Sequence, residues 1–318
     1  MKLWNGGNMC RIKKIKIFQY LKNPQLFLLK LDQKGIIRMK DEKYIKALFK
    51  QEIGVDLNLE DPKTFNEKLQ WLKLYNRDPR YTKMVDKFEV KKYIKKNIGE
   101  QYVIPTIGVY EKFSDINFDK LPDKFVIKCT HDSGTIIICK NKKDFDLPSA
   151  RLKINKALRK NFYYQSREWP YKNVKPRIII EPYIEDSDDK ELRDYKFYCF
   201  GGKPHVLLLA TDRLSGKGLC FDYFDMNFKH LALTNHWHPN AAVTPHKPKH
   251  FELMKRLASQ LSNGIPHVRV DFYEANGNVY VGELTFFDMG GQLKIHPDNW
   301  EKEWGDLITL PGKRNSDA

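Results

Sequence analysis

Acidic and hydroxyl side chains recur at strand spacing towards the C-terminal end of the chain. Arg269 and Asp271 alternate with apolar residues, so both point to one face of a predicted strand. The next predicted strand carries Glu283 and Thr285. Oxygen ligands on neighbouring strands are typical of a hard cation such as Mg²⁺ that also touches phosphates. We therefore predict a metal site at Asp271, Glu283 and Thr285, and consider a cross-strand surface pair the alternative.

The register of this hairpin decides whether the two carboxylates share a face. A two-residue loop at Asn276-Gly277 would turn Glu283 away from Asp271. A three-residue loop that begins at Ala275 would pair Asp271 with Val281 and keep the carboxylates together. Because two like charges close together are destabilising without a cation, a shared face favours metal. The metal site therefore depends on the register, and a slip of one residue would invert the argument.

A lysine precedes a flexible turn in the middle of the chain. Lys128 lies near the end of an apolar strand, and the turn that follows contains His131, Ser133 and Gly134. An ammonium group and backbone N–H groups can hold phosphate oxygens from two sides. A lysine at the end of a strand is more commonly a solvated residue that prevents edge-to-edge aggregation. This motif alone therefore does not establish a phosphate site.

Two further segments could complete a nucleotide site. The pair Asp86-Lys87 begins a helix-like stretch about 40 residues before Lys128. The segment from Glu181 to Ile184 breaks an apolar strand, and backbone groups at such an end can bind an adenine edge, with Glu185 or Asp188 near the ribose. A plain connecting loop would have much the same sequence.

The order of these motifs resembles that of the ATP-grasp superfamily. It is most similar to the TupA-like branch, named for teichuronopeptide biosynthesis and found in capsule and exopolysaccharide gene clusters. The resemblance runs from Pro62 to Pro311. Its most specific pieces are residues 65–71, 125–134, 194–200, 269–273 and 282–286.

The resemblance implies ATP and Mg²⁺ as cofactors, and it implies a role for each motif. The residues implied to bind the nucleotide are Lys87, Lys128, His131, Ser133, Gly134, Glu181, Tyr183, Ile184, Asp194 and Lys196. Those implied in catalysis are Lys128 and Lys196, with Asp271 and Glu283 as magnesium carboxylates, and strand alternation adds Arg269 as a catalytic candidate on the face of Asp271. Most ATP-grasp enzymes have an asparagine at the position of Thr285, and a hydroxyl is a weaker ligand.

The family also implies a reaction. Its members generally phosphorylate a carboxylate and let an amine attack the acyl phosphate, and this branch is tied to joining amino acids to acidic sugars. The expected partners are therefore an acidic sugar or polysaccharide precursor and an amino acid or amine. A sugar or lipid-carrier kinase on the same fold is the second hypothesis. A basic module that binds nucleic acid or a membrane surface is the third.

The net charge fits an anionic partner. Lys and Arg number 56 against 40 Asp and Glu, which gives +16. Such a balance favours nucleic acid, phospholipid, nucleotide or an acidic polymer, although a solvated lysine-rich surface would give the same number. We predict that arginines or lysines bind the acceptor carboxylate, with Arg193, Arg213, Lys217 and Arg269 as candidates. Arg269 is equally interpretable as a counter-ion that holds Asp271 or Glu283.

No nucleic acid is expected as a partner. Trp71, Tyr163, Tyr164 and Trp169 could stack bases, but none lies in a recognisable nucleic-acid motif. Four histidines between His236 and His250 could supply a zinc site by number, yet their proline-rich segment has no Cys or well-placed acid. We interpret that segment as a loop without metal that could border the acceptor site.

Composition excludes two classes of protein. The 318 residues are 41% hydrophobic and 13% aromatic, which excludes bulk disorder. No apolar run approaches the roughly 20 residues of a membrane span. Five cysteines without a CxxC pair favour free thiols, so we expect a cytoplasmic protein, with the inner face of the membrane as a candidate location.

The expected fold class is α+β, as two lobes with antiparallel sheets that clamp ATP after a helical N-terminal region. The predicted units are a basic extension over 1–60, a helical region over 61–120, a first lobe over 121–190 and a second lobe with the metal site over 191–318. Residues 1–30 are a candidate membrane contact, through a basic amphipathic helix that could equally pack on the body.

Local patterns predict several elements of these units. Thr64 and Glu67 form a capping box, and a second helix should run from Tyr81 to Ile98. Strands are expected over 122–130, 135–139 and 177–184, and helices over 148–162 and 248–261. Hairpins are expected around Gly201-Gly202 and around the Asn-Gly turn described above.

Overall fold

The computed structural model describes residues 23–187, 192–212 and 218–312. The predicted basic helix within residues 11–21 lies outside these ranges, as do Asp188, Arg213 and Lys217. Within the ranges, no helix is both long enough and apolar enough to cross a membrane.

Two helices form the described part of the N-terminal extension. They are α1 (Pro24–Gln33) and α2 (Asp41–Ile53). Asn23 caps α1 by accepting from the backbone of Leu26, and Gly54 ends α2 in a left-handed conformation. The buried side chains of α2 divide between a small cluster shared with α1 and the large core of the second lobe. The extension is therefore packed on the body of the protein.

Three helices follow in the predicted helical region, namely α3 (Phe65–Tyr75), α4 (Arg80–Val85) and α5 (Val90–Ile98). The predicted capping box before α3 is confirmed, since Thr64 and Glu67 hydrogen bond reciprocally. The single helix predicted from Tyr81 to Ile98 is wrong. Asp86 is extended and its side chain accepts from the backbone N–H of Phe88, which ends α4 and starts α5.

The first lobe is an antiparallel sheet covered by a helix. Its strands are β1 (Gly108–Tyr110), β2 (Phe125–Cys129), β3 (Ile136–Cys139) and β4 (Ile178–Pro182), in the order β1-β4-β2-β3 among the described residues. Helix α6 (Leu147–Leu158) packs Ala150, Ile154 and Ala157 into the core of this lobe. It ends four residues before the predicted Phe162, and the short helix α7 (Tyr163–Ser166) follows.

The second lobe is a larger antiparallel sheet. Strands β5 (Asp194–Phe200), β6 (Lys203–Thr211), β7 (Cys220–Phe224), β9 (His267–Ala275) and β10 (Asn278–Thr285) pair in the order β10-β9-β5-β6-β7. Helix α8 (Phe251–Ser262) covers its apolar face. The turn at Gly201-Gly202 is confirmed, and both glycines have the positive φ that a two-residue hairpin turn requires.

Small elements tie the helical region to the second lobe. Strands β8 (Thr234–Asn235) and β11 (Ile295–His296) pair with each other, and α9 (Asn299–Leu307) packs against α3. Phe65 of α3 contacts Trp304 edge to face at 5.3 Å between ring centroids. Together these elements confirm the predicted α+β class with antiparallel sheets.

Candidate active site

The hairpin of β9 and β10 places the two predicted metal carboxylates opposite each other. Asp271 pairs directly with Glu283, so both side chains lie on one face of the sheet. Of the two loops that the sequence allowed, the structure has the two-residue turn at Asn276-Gly277, because Ala275 pairs with Asn278.

A β-bulge makes this register possible. The pairing shifts between Val281 and Glu283, and the extra residue is Gly282. A Cβ at Gly282 would lie 2.9 Å from the ring of Tyr273, so the tight packing at this point needs a glycine. The predicted shared face is therefore present, but a bulge produces it and not the loop length.

Two buried cations surround Asp271. Arg269 donates to both of its carboxylate oxygens, from Nε to Oδ1 at 2.7 Å and from a terminal nitrogen to Oδ2 at 2.8 Å. Lys196, directly across on β5, donates to Oδ2 at 2.6 Å. Burial alone would raise the pKa of Asp271, but these two cations lower it to about 2. Asp271 is therefore held as a carboxylate.

Lys196 depends on its acidic neighbours in return. Its Nζ also lies 3.7 Å from Asp194, which precedes it by two residues on the same face of β5. Burial alone would lower the pKa of Lys196, but Asp271 and Asp194 raise it above its ordinary value. The ammonium thus stays protonated although it is largely buried.

Arg269 connects the acidic groups of this face. Besides Asp271 it contacts Glu283 at 3.4 Å, donates to Thr285 at 3.3 Å and donates to Asp288. Asp288 also accepts from the hydroxyl of Tyr198. Because the guanidinium is buried and its nitrogens already have partners, the structure favours the interpretation that Arg269 positions the carboxylates.

Sequence reasoning missed Asp288. It follows Glu283 by five residues, at the start of a short 3₁₀ turn over Asp288–Gly290. Met289, Gly290 and Gly291 all have positive φ there, which orients the chain so that Asp288 points back to Arg269. The sequence signal for this turn is the pair of adjacent glycines, Gly290 and Gly291, directly after Asp288 and Met289.

The accessible donors of this face, Glu283 and Thr285, fit magnesium when nucleotide phosphates complete the coordination, whereas both oxygens of Asp271 are already bound by Arg269 and Lys196. Asp271, Glu283 and Thr285 supply hard oxygen atoms on adjacent strands, and Glu283 is 38% exposed and so accessible. Across the described ranges, no three His, Cys, Asp or Glu side chains form a group that could hold a metal ion alone. Mg²⁺ commonly takes only one or two protein carboxylates and fills the remaining positions with phosphate and water oxygens.

In the first lobe, Glu181 lies between two lysines. Lys128 of β2 donates to it at 2.7 Å, and Lys91 of α5 lies 2.6 Å from its other oxygen. Burial alone would raise the pKa of Glu181, but Lys128 and Lys91 hold it below its ordinary value. Sequence reasoning did not predict Lys91. The predicted phosphate lysine and the predicted adenine-linker glutamate thus contact each other, and β4 ends at Pro182, before Tyr183 and Ile184.

The break between α4 and α5 brings Lys87 to the turn after β2. Its backbone N–H donates to the carbonyl of Thr130 at 3.1 Å, and its side chain donates to the carbonyl of Asp132. His131 is buried and lies 3.2 Å from the carbonyl of Ala157 at the end of α6. It therefore anchors the turn, while Ser133 and Gly134 are exposed at its tip.

One large cavity joins the two lobes and the extension. Its volume is about 1250 Å³. The predicted site residues that line it are Ser133 of the first lobe and Asp194, Lys196, Arg269, Glu283 and Thr285 of the second. Lys87, Lys128, His131, Gly134, Glu181, Tyr183, Ile184 and Asp271 are not part of its lining. The structure thus brings the second-lobe residues together around one space, with the tip of the turn opposite.

A buried carboxylate and a buried amine also lie beside this cavity. Glu168 is part of its lining and accepts from the hydroxyl of Ser166 at 2.8 Å. Lys73 of α3 donates to the carbonyls of Ser166 and Gly290, at 2.9 and 2.7 Å. Burial raises the pKa of Glu168 and lowers that of Lys73. Sequence reasoning did not single out either residue.

The other predicted contacts lie in different places. Trp71, Tyr163 and Trp169 are buried in the core, which removes them as stacking surfaces for bases. Arg193 is half-buried just before β5 and is not part of the cavity lining. In the histidine segment, His250 hydrogen bonds Glu274 at 2.7 Å, whereas Trp237 and His238 line the cavity.

Comparison with known proteins identifies the family. The profile of the TupA-like ATP-grasp family matches residues 67–309, about three quarters of the chain. The chain belongs to this family. The resemblance that its motifs carry is thereby confirmed, and with it the ATP-grasp fold. No curated protein matches the sequence.

Solved structures similar to this TupA-like protein are distant. A D-alanine–D-alanine ligase from Bacillus anthracis is 19% identical, with 64% of this chain and 57% of that chain covered at a TM-score of 0.37. The ATP-grasp ligase PsnB, complexed with a phosphomimetic variant of its minimal precursor, Mg and ADP, is 12% identical, with 76% and 64% covered at 0.41. The TupA-like chain thus spans 57% to 64% of these chains, and such distant likeness says nothing about its activity.

Proposed function

We propose that this TupA-like protein is an ATP-dependent carboxylate–amine ligase in surface-polysaccharide synthesis. It joins an amino acid or amine to an acidic sugar or polysaccharide precursor. The observation that supports this most is the register that sets Asp271 opposite Glu283, with Lys196 and Arg269 on the same face. Family membership supports ATP as the phosphoryl donor, and the oxygen donors of Glu283 and Thr285 on the cavity face favour magnesium beside it.

The reaction has two steps whose atoms balance. A carboxylate oxygen of the acceptor attacks the γ-phosphorus of ATP, and ADP leaves with the electrons of the broken P–O bond. The amine then attacks the acyl carbon, inorganic phosphate leaves, and the nitrogen loses a proton. Phosphoryl transfer needs positioning and charge neutralisation more than covalent catalysis, so no nucleophilic Ser or Cys is required.

Residues of both lobes contribute to these two steps. Glu283 and Thr285 would hold Mg²⁺ against the phosphates, and the ion would neutralise charge on them. Asp271 would join them as a ligand only on releasing one of its bonds to Arg269 or Lys196. Lys196 holds Asp271 ionised and lies on the cavity face, where an ammonium stabilises negative charge. Lys87 and Lys128 would bind phosphate oxygens from the first lobe, with Ser133 at the tip of the turn above them.

An isotope experiment tests this function against a kinase. Uronic acids labelled with ¹⁸O in the carboxylate are incubated with Mg·ATP and a panel of amino acids. A ligase transfers one ¹⁸O atom into the inorganic phosphate that it releases. Phosphate that stays on the acceptor would instead support the sugar or lipid-carrier kinase, and an absence of magnesium-dependent ATP binding by calorimetry would contradict both.

A further inference from the structure

One wall of the cavity is built by parts of the chain outside the two sheets. It comes from the N-terminal extension and from the segment that follows α6. The cations of this wall are Lys30, Lys34, Arg38, Arg159 and Lys160. The carboxylates that these same two segments contribute to the described lining are Glu52 and Glu168. The wall therefore has an excess of positive charge.

Within the described ranges, none of these five exposed cations forms an ion pair, and three of them also lack a side-chain hydrogen bond. The two that have one are Arg38, which donates to the carbonyl of Asp32 at 3.0 Å, and Lys30, which donates to Gln33 at 3.0 Å. The side chains of Lys34, Arg159 and Lys160 form no ion pair or hydrogen bond with any residue in the described ranges. Like charges around one space repel each other, and an anion between them removes that cost.

Buried contacts hold this wall in place. Arg167 donates to Asp32 of α1 at 2.6 Å, with both side chains almost fully buried. Tyr44 of α2 donates to the carbonyl of Gln165 at 2.8 Å. The extension is thus fixed against the segment that carries Arg159 and Lys160, so the wall is preformed.

We propose that this basic wall binds a diphosphate group of the acceptor, distinct from the carboxylate that is activated. The inference rests on the proposed function. The reacting carboxylate must approach the γ-phosphate at about 3–3.5 Å, beside the second-lobe face with Lys196 and Glu283. Three unpaired cations on another wall match the two to three negative charges of a diphosphate. The cavity of about 1250 Å³ also exceeds the usual 300–1000 Å³ of a small-ligand site, which leaves room for a sugar carried on such a group.

Binding measurements with inorganic pyrophosphate test the wall. The protein is first saturated with Mg²⁺ and a non-hydrolysable ATP analogue, so that the nucleotide phosphate site is occupied. The double variant Lys34→Gln/Lys160→Gln should then bind pyrophosphate at least tenfold more weakly than the parent. Lys156→Gln is the matched control, because Lys156 is exposed on α6 but is not part of the cavity lining.

The outcomes separate this proposal from the ligase proposal. All variants should bind the ATP analogue with the same affinity as the parent. Failure of the parent to bind the analogue would contradict the ligase proposal, and the pyrophosphate affinities of the parent and the double variant could still be compared. Equal pyrophosphate affinity in the parent and the double variant would overturn the basic wall. The source of the diphosphate is then distinguished by replacing pyrophosphate with UDP-glucuronic acid or with farnesyl diphosphate, which represent a nucleotide sugar and a lipid carrier.

Discussion

At the level of single residues, Asp271 and Glu283 face each other but have opposite environments. The side chain of Asp271 is 4% exposed and bound by two cations, whereas that of Glu283 is 38% exposed with one long contact to Arg269. Their charges are therefore compensated inside the protein, and the cation that sequence reasoning required between them is present as Arg269. The two positions should respond differently to neutral substitution.

Glu283→Gln should remove magnesium-dependent ATP binding with little effect on stability. The substitution keeps the shape and removes the charge that would hold the metal, and a half-exposed group makes a small contribution to folding. We expect the free energy of unfolding, measured in urea, to stay within about 0.5 kcal/mol of that of the parent. Calorimetry with Mg·ATP measures the loss, and parent-like affinity at low magnesium would exclude Glu283 as a ligand.

Asp271→Asn should destabilise the fold, because it leaves Arg269 and Lys196 buried without their carboxylate. We expect a loss of about 3 kcal/mol at neutral pH. The folded pKa of about 2 lies below that of an unfolded aspartate, so this contribution is complete above about pH 4 and decreases as the pH falls towards 2.

Urea unfolding of parent and Asp271→Asn at pH 5 and pH 3 measures this dependence. The difference between them should shrink by about 1 kcal/mol over that interval, since the unfolded state takes up the proton first. A difference that is constant or grows on acidification would contradict the ion pairs around Asp271.

Arg269→Lys should weaken magnesium and ATP binding and leave the KM for the acceptor unchanged. A lysine keeps the charge but cannot reproduce the two parallel bonds to Asp271 together with those to Asp288 and Thr285. We expect ATP affinity to fall about tenfold, a loss of about 1.4 kcal/mol. A raised acceptor KM with unchanged ATP affinity would instead identify Arg269 as the substrate clamp.

The sequence predicted the chemistry of this site better than its geometry. The alternation around Asp271 indicated the correct face, because strand periodicity depends only on neighbouring residues. The register depended on Gly282, a glycine inside a strand, which often marks a bulge. Asp288, Lys91 and Glu168 reach their sites through tertiary contacts, which local patterns do not encode.

At the level of elements, the break between α4 and α5 is what brings Lys87 to the first lobe. Sequence reasoning expected one helix because the apolar spacing continues through the break. What ends α4 is the side chain of Asp86, which accepts from the backbone of Phe88 and, at 2.7 Å, from Arg177. A buried cap that also pairs with an arginine overrides the helical pattern.

Asp86→Ala should therefore reduce both stability and ATP affinity. Removing a carboxylate that is 3% exposed leaves Arg177 and two backbone N–H groups without it, at a cost of about 3 kcal/mol. Lys87 would lose its fixed position, so ATP binding should weaken as well. Chemical unfolding and calorimetry measure the two effects. Asp61→Ala, at an exposed ion pair, is the control and should change neither.

At the level of the whole molecule, the N-terminal extension is a wall of the site. The sequence indicated an appendage because its composition is basic and its helices are short. Its docking depends on the buried pair of Asp32 and Arg167, which lie 135 residues apart in the sequence. A pairing of that range leaves no local signal, so the sequence could not show where the positive charge of the extension lies.

Asp32→Ala should detach the extension while the lobes stay folded. The buried guanidinium of Arg167 would lose its main partner, at a cost of about 3–5 kcal/mol. Residues 23–60 should then become sensitive to limited proteolysis, with Mg·ATP affinity unchanged. Lys46→Ala, which removes an exposed ion pair on α2, is the control. If Asp32→Ala resists the protease as the parent does, contacts other than the Asp32–Arg167 pair are sufficient to hold the extension on the lobes.

The tip of the β9–β10 hairpin has a mechanical consequence. Asn276 donates to the carbonyl of Glu185 at 2.7 Å and accepts from the backbone of Ser187 at 3.0 Å, so the connecting segment is clamped to the second lobe. Between this clamp and the end of β4 lie Tyr183 and Ile184, so a rotation of the first lobe about this connection would bend the chain at these two residues. These are the same two residues that the family resemblance assigns to the adenine. A base bound at these two residues would restrict the angle between the lobes. The extent to which the lobes close would then depend on the base as well as on the phosphates.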